Sequence, residues 1–273
     1  MRNFSALIIA CGKASIDDKA IHSRIISGHE VTPHSIPWQV LVLMSFKSGR
    51  KMRCGGSLID SRNVLSAAHC TFDQQLRKLV TDPTIFSVML GQHQTMNGLT
   101  TDGLNVSVCR VSIHKSITSV LDFMGGGNPD KILDNDFVML LLTHPVTFNG
   151  KISPVCLPTP NMDDQFLVNK TLTASGWGIG SEKESVPSGM YQTLHAVKLL
   201  GVSNEMCSKA HSDADKTLPS SHPVRKLLRT ITKNMLCAGY LNETKSVCVG
   251  DSGGRLSPSS ISVNFKNICY TFH

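Results

Sequence analysis

The sequence predicts an all-β fold, and three observations carry that prediction. Apolar residues fall in short runs, at 38–44, 57–59, 86–90, 137–142 and 194–200. Glycine, proline, asparagine or serine bounds these runs, and their lengths suit strands better than helices. No heptad pattern, solenoid period or low-complexity tract competes. Many short strands punctuated by turns build a barrel or a sandwich.

The rest of the composition narrows this frame. A length of 273 residues suits one large domain or two fused half-barrels. Hydrophobic residues make up 41% of the chain, enough for a packed core. No apolar run approaches the roughly 18 residues of a membrane span. The formal charge of +7 permits a polyanionic partner. No arginine-rich tract with interleaved aromatics occurs, so a nucleic-acid partner is not expected.

One stretch departs from the strand pattern. No acidic residue lies between Lys216 and Lys233, and Val224, Leu227, Leu228 and Ile231 recur at helical spacing. A surface helix is expected there, with Arg225, Lys226 and Arg229 largely off its apolar face. That basic side is either a plain solvated surface or an exosite for a polyanion or a protein.

The nine cysteines include no C-x-x-C pair. That spacing argues against a zinc ribbon or a thioredoxin-type centre and for disulfides in an oxidising compartment. Sequons at Asn3, Asn105, Asn169 and Asn242 point the same way, toward a secreted glycoprotein. At the start, Arg2 and the apolar stretch 4–10 read either as a minimal signal peptide or as part of a longer protein that begins upstream.

Three motifs carry chemistry, in a fixed order. Ser66-Ala67-Ala68-His69-Cys70 comes first, Asp134-Asn135-Asp136-Phe137 second, and Gly250-Asp251-Ser252-Gly253-Gly254 last. Each alone is an ordinary structural pattern; together they hold what nucleophilic catalysis needs. A serine hydroxyl is a poor nucleophile at neutral pH and requires a base, which in turn requires an orienting acceptor. Histidine titrates near neutrality and suits the base role. A buried aspartate fixes the tautomer and stabilises the imidazolium. Asp136 sits just before a strongly apolar run, where a buried carboxylate can be anchored. Glycines beside Ser252 let backbone N–H groups turn toward a developing oxyanion.

With these flanking residues, the order histidine, aspartate, serine resembles the trypsin/chymotrypsin family of serine endopeptidases. The likeness continues along the chain. Arg24-Ile25-Ile26-Ser27-Gly28 resembles the family's activation junction. Pro37-Trp38-Gln39-Val40 and Cys54-Gly55-Gly56-Ser57-Leu58-Ile59 resemble its first strands, and Pro154-Val155-Cys156-Leu157-Pro158 its interdomain connector. Ser175-Gly176-Trp177-Gly178 and Asn234-Met235-Leu236-Cys237-Ala238-Gly239 resemble landmarks of its second barrel.

The resemblance implies two six-stranded Greek-key β-barrels, with a signal-like or propeptide segment over 1–24 and a protease domain over 25–273. It implies His69 as general base, Asp136 as its orienting acceptor and Ser252 as nucleophile, with the N–H groups of Gly250 and Ser252 as oxyanion donors. An activating protease would cut after Arg24, freeing the Ile25 amine to pair with Asp251 and shape the oxyanion hole and specificity pocket. Protein substrates are expected; no metal and no organic cofactor is required. The implied disulfides are Cys54–Cys70, Cys207–Cys237 and Cys11–Cys156, the last tethering the propeptide. Ser246 falls at the pocket floor, where trypsin-like members carry aspartate. A serine cannot neutralise a buried substrate cation, so a chymotrypsin-like or elastase-like preference is expected.

The chain also departs from the family. Leu172 and Pro258 stand where a disulfide is usual; Cys109, Cys248 and Cys269 remain, and the family joins Cys248 to a cysteine on the far pocket wall, for which Cys269 is a weak substitute. Arg255 replaces the proline after the nucleophile motif, and 256–273 carry no family landmark. A second barrel incomplete at its C-terminal side is therefore expected. Loops at 71–88, 116–133 and 208–233 exceed those of a minimal trypsin. The competing reading is a catalytically inactive homologue acting as a binding module, and a third is a gene fragment that does not fold.

Overall fold

A computed structural model of the chain describes residues 11–18, 28–96, 99–100, 102–117, 134–158, 164–178, 192–217, 231–239, 252–257 and 263–264. The first strands are β1 (His29–Glu30), β2 (Gln39–Ser45), β3 (Lys51–Leu58), β4 (Asn63–Ser66), β5 (Phe72–Asp73) and β6 (Lys78–Leu79). Next come β7 (Phe86–Leu90), β8 (Thr95–Met96), β9 (Leu99–Thr100), β10 (Leu104–Ile113) and β11 (Val138–Leu142). The last are β12 (Thr171–Gly176), β13 (His195–Val202), β14 (Cys237–Gly239), β15 (Arg255–Ser257) and β16 (Val263–Asn264). Among the described residues the α-helices are α1 (Asp164–Leu167) and α2 (Asn204–Thr217), and 3-10 turns span Ala68–Thr71 and Pro83–Ile85.

Alternation of side chains closes the first barrel. On β2, Val40, Val42 and Met44 point inward; on β7, Phe86, Val88 and Leu90; on β11, Val138, Leu140 and Leu142. A period of two puts each set on one face, and together they fill the barrel. The closed strand order is β10-β11-β4-β3-β2-β7, every neighbour antiparallel. Closure leaves this sheet no free edge. Between Val108 and Arg110 the β10–β11 register shifts, so Cys109 is the extra residue of a bulge.

The second sheet runs β1-β13-β12-β15-β16, with β14 also on β13. Its core gathers Leu167, Leu172, Ala174, Val197 and Leu199. Leu172 is fully buried there, an apolar side chain at the position where the family carries a cysteine. The sheet does not close among the described residues. The stretch after Gly254, which carries no landmark in sequence, contributes β15 against β12 and β16 against β15.

A third apolar cluster joins the two sheets. Trp38, Leu41 and Met89 from the barrel side meet Trp177, Leu194 and Ala196 from the second sheet. Leu41 lies on the outer face of β2, which explains why that strand reads as an unbroken apolar run: it is buried on both faces. Polar bonds align the seam. Ser175 Oγ donates to Gln39 Oε1 at 2.8 Å, and Trp177 Nε1–H donates to the His93 carbonyl at 3.0 Å.

One expectation about elements changes. The long loop expected over 208–233 begins as helix, because α2 runs on to Thr217. Ser203 caps it through a bond from the Met206 N–H at 3.2 Å, and Cys207 ties it to Cys237 on β14. Ile231, the last residue of the basic helical pattern, lies outside any helix; Val224, Leu227 and Leu228 lie outside the described residues, as do Arg225, Lys226 and Arg229.

Candidate functional site

Strand pairing brings His69 and Asp136 together. Strand β4 ends at Ser66, three residues before His69, and β11 begins at Val138, two residues after Asp136. These strands are antiparallel neighbours with Ser66 opposite Val138. The departing end of one therefore adjoins the arriving end of the other. The 3-10 turn Ala68–Thr71 then presents the imidazole. Asp136 Oδ2 lies 2.6 Å from His69 Nδ1, and Oδ1 accepts the His69 backbone N–H at 2.8 Å. The carboxylate is 1% exposed and the histidine 6%, so water does not compete for the contact. With Nδ1 facing a carboxylate, the tautomer that donates there leaves Nε2 as a lone-pair acceptor.

Ser252 reaches this corner from the second sheet. Its turn immediately precedes β15 and docks onto β3, where the Gly55 N–H donates to the Ser252 carbonyl at 2.7 Å. That carbonyl lies 3.9 Å from Cys70 Sγ, and the same sulfur lies 3.8 Å from His69 Nε2. Among the described residues no hydrogen bond joins the Ser252 hydroxyl to His69. Gly253 makes the docking feasible. Its φ is +78°, and a Cβ there would stand 2.3 Å from Ser66 Oγ, 2.5 Å from the Gly55 carbonyl oxygen and 2.9 Å from the Ala67 nitrogen. Only glycine fits that approach.

Disulfides fasten the surroundings. Cys54 on β3 joins Cys70 beside His69, Cys207 joins Cys237, and Cys11 joins Cys156. The sulfurs of Cys54 and Cys70 and an imidazole nitrogen of His69 lie within 4.8 Å of one another. The disulfide occupies both sulfurs, leaving only the imidazole as a metal donor.

Sequence reasoning missed a polar clamp behind Asp136. Asp134 accepts from Thr232 Oγ1 at 3.1 Å and from Asn234 Nδ2 at 3.0 Å. Asn204, the first residue of α2, donates to the carbonyls of Thr232 and Met235 at 3.2 and 2.9 Å. The loop carrying Asp136 is thus anchored to α2 and the segment before β14. Asn135, between the two aspartates, sits at φ +54°, a conformation asparagine tolerates better than most residues. The Asp-Asn-Asp run and the asparagine opening Asn-Met-Leu-Cys were the available signals.

Of the other expected positions, Arg24, Ile25, Ser246, Gly250, Asp251 and Asn242 lie outside the described residues. Asn105 and Asn169 are described, and both are exposed. Cys109 is free and exposed.

A closed six-stranded barrel packed on a second antiparallel sheet, with an imidazole–carboxylate pair at the seam, defines the class of double-barrel hydrolases. Comparison with known proteins makes the assignment specific. The family model described as Trypsin matches residues 25–261. The chain is 35% identical over 242 residues to the clotting factor G beta subunit of Tachypleus tridentatus, covering 87% of this chain and 67% of that one. It is 31% identical over 255 residues to a renal glandular kallikrein of Mastomys natalensis, covering 93% and 82%. It is 30% identical over 250 residues to the CLIP domain-containing serine protease B15 of Anopheles gambiae, covering 90% and 60%. The chain belongs to the trypsin family of serine proteases, and by that membership it is a serine endopeptidase acting on proteins.

Proposed function

We propose that the chain is a secreted zymogen whose active form hydrolyses peptide bonds with His69, Asp136 and Ser252. The observation that carries this reading is the buried contact between His69 and Asp136, with the Ser252 turn docked against the same corner. Ser252 Oγ attacks the scissile carbonyl carbon while its proton passes to His69 Nε2. Asp136 holds the Nδ1–H and stabilises the imidazolium. The carbonyl oxygen becomes an oxyanion received by the N–H groups of Gly250 and Ser252; donors of this kind contribute about 2.7–4 kcal/mol each. Collapse of the tetrahedral intermediate breaks the C–N bond, and His69 returns the proton to the departing amine. Water then repeats the sequence on the acyl-enzyme and frees Ser252.

Activation follows from cleavage after Arg24 by another protease. The new Ile25 amine pairs with Asp251, and that buried pair selects the loop conformation that completes the oxyanion hole. The Cys11–Cys156 disulfide keeps the propeptide attached after the cut. Ser246 at the pocket floor favours apolar or small residues before the scissile bond. Secretion accords with the three disulfides and with relatives that include a clotting factor; glycans at Asn105, Asn169 and Asn242 belong to the same reading.

Hydrolysis of a panel of peptides varying the residue before the scissile bond, before and after cleavage at Arg24, tests the proposal. Activity should emerge only after cleavage and should favour Phe, Leu or Ala over Arg. Correctly folded, cleaved protein that hydrolyses none of the panel would leave the chain as a non-catalytic homologue.

A further inference from the structure

The hairpin between β2 and β3 gathers Lys47, Arg50, Lys51 and Arg53 within seven residues. Register places Ser45 opposite Lys51, Leu43 opposite Arg53 and Leu41 opposite Gly55. Directly paired residues share a sheet face, so Lys51, Arg53 and Gly55 form one row beside Leu43 and Leu41. That face looks toward the second sheet, since Leu41 belongs to the cluster with Trp177, Leu194 and Ala196, and Leu43 packs on it. At the inner end of the row, Gly55 holds the Ser252 carbonyl. The cations therefore border the seam and lead to the Ser252 turn, with Lys51 about 13 Å from Gly55.

A second basic hairpin adjoins the first. Strands β5 and β6 follow the turn bearing His69, with the Val80 N–H bonded to the Thr71 carbonyl at 2.9 Å. Arg77 and Lys78 lie at the end of that hairpin and are exposed. Lys47 Nζ is 3.8 Å from Asp82 Oδ2, which ties the first hairpin to the segment that follows the second. Asp82 also accepts from the Thr84 N–H and hydroxyl, and buried Asp73 accepts from the N–H groups of Gln75 and Leu76. Arg50 Nη1 is buried without a hydrogen-bond partner. Half-burial also lowers the Arg53 guanidinium from its ordinary pKa by desolvation. A buried guanidinium nitrogen without a partner, as on Arg50, favours an anion that can supply an acceptor.

We infer that these two hairpins form a cationic shelf along the cleft that binds an acidic segment of the polypeptide substrate, about four residues from the scissile bond. The inference deepens the serine-protease reading by naming a substrate class. A peptide is favoured over a sulfated glycan because the row runs into the place beside Ser252 where a substrate backbone must lie.

The test uses the Ser252→Ala protein, so its outcome is independent of whether Ser252 is the nucleophile. A fluorescein-labelled peptide containing a run of glutamates is titrated by anisotropy, with the matching glutamine peptide and a heparin oligosaccharide as comparators. The glutamate peptide should bind and weaken about tenfold or more between about 0.02 and 0.2 M salt. The double variant Lys51→Glu, Lys78→Glu, both at exposed positions, should abolish that binding without moving the thermal midpoint. Equal binding of the two peptides, or binding insensitive to salt, overturns the inference even if the double variant fails to fold. Binding of heparin without the glutamate peptide overturns the assignment to a peptide.

Discussion

At the scale of single residues, the corner between the sheets depends on two side chains and one missing side chain. Asp136 is almost wholly buried, and both its oxygens are directed at His69. Asp136→Asn preserves the volume but places an amide against Nδ1, which favours the wrong imidazole tautomer. In activated protein, kcat should fall about 10⁴-fold with the fold intact, the magnitude this exchange has in a serine-protease triad. Steady-state kinetics on the best peptide checks it; a loss under tenfold would remove Asp136 from the mechanism. Gly253 offers a stability test instead. Alanine there meets the Ser66 hydroxyl and two backbone atoms at positive φ, and strain of this kind costs about 1–3 kcal/mol before any clash is counted. Gly253→Ala should lower the thermal midpoint by several degrees, whereas an unchanged midpoint would mean that the turn does not dock on β3.

At the scale of elements, the clamp from Asp134 to Thr232 and Asn234 explains how a loop holds a carboxylate in place. Asp134→Ala takes the acceptor from Thr232, Asn234 and the Asn135 N–H, and losses of this type run to about 1–3 kcal/mol each. If the clamp positions Asp136, kcat should fall while KM stays close to its original value, and Asp134→Asn should recover part of the loss. Equal changes in both variants, seen only in stability, would make the clamp merely structural. His34 supplies a pH-linked effect. Burial, reinforced by Lys151, lowers its pKa from the ordinary value. The unfolded chain therefore takes up a proton near pH 6.5 that the folded chain resists. This contribution is present above about pH 6.5 and is lost as pH falls through the lower folded value. His34→Asn, which suits the φ of +65° there, should flatten the decline in urea midpoint between about pH 7 and pH 5; an unaltered slope would contradict the assignment. Strands such as β7 and β11 were legible because their inward residues alternate within apolar runs. Helix α2 was not, since its sequence NEMCSKAHSDADKT offers little apolar periodicity and its placement depends on a cap and a distant cysteine.

At the scale of the whole molecule, periodicity alone reached only a barrel or a sandwich. The two-sheet arrangement came from ordered motifs, because the seam is built by residues far apart in sequence, such as Leu41 and Leu194. The site was legible as residue types in order, while its geometry was not: β4–β11 pairing and the docking of Gly253 are tertiary facts. The clamp and the cationic shelf were equally hidden, since both join segments that are remote along the chain or read as ordinary loops. The account as a whole depends on Ser252 being activated by the histidine across that seam. Mass mapping of a fluorophosphonate adduct, on protein cleaved after Arg24, tests this most directly. We predict near-stoichiometric modification at Ser252, absent from the uncleaved chain and lost in His69→Ala. Cleaved, cooperatively folded protein that carries no adduct at Ser252, or carries it on another residue, would contradict the account.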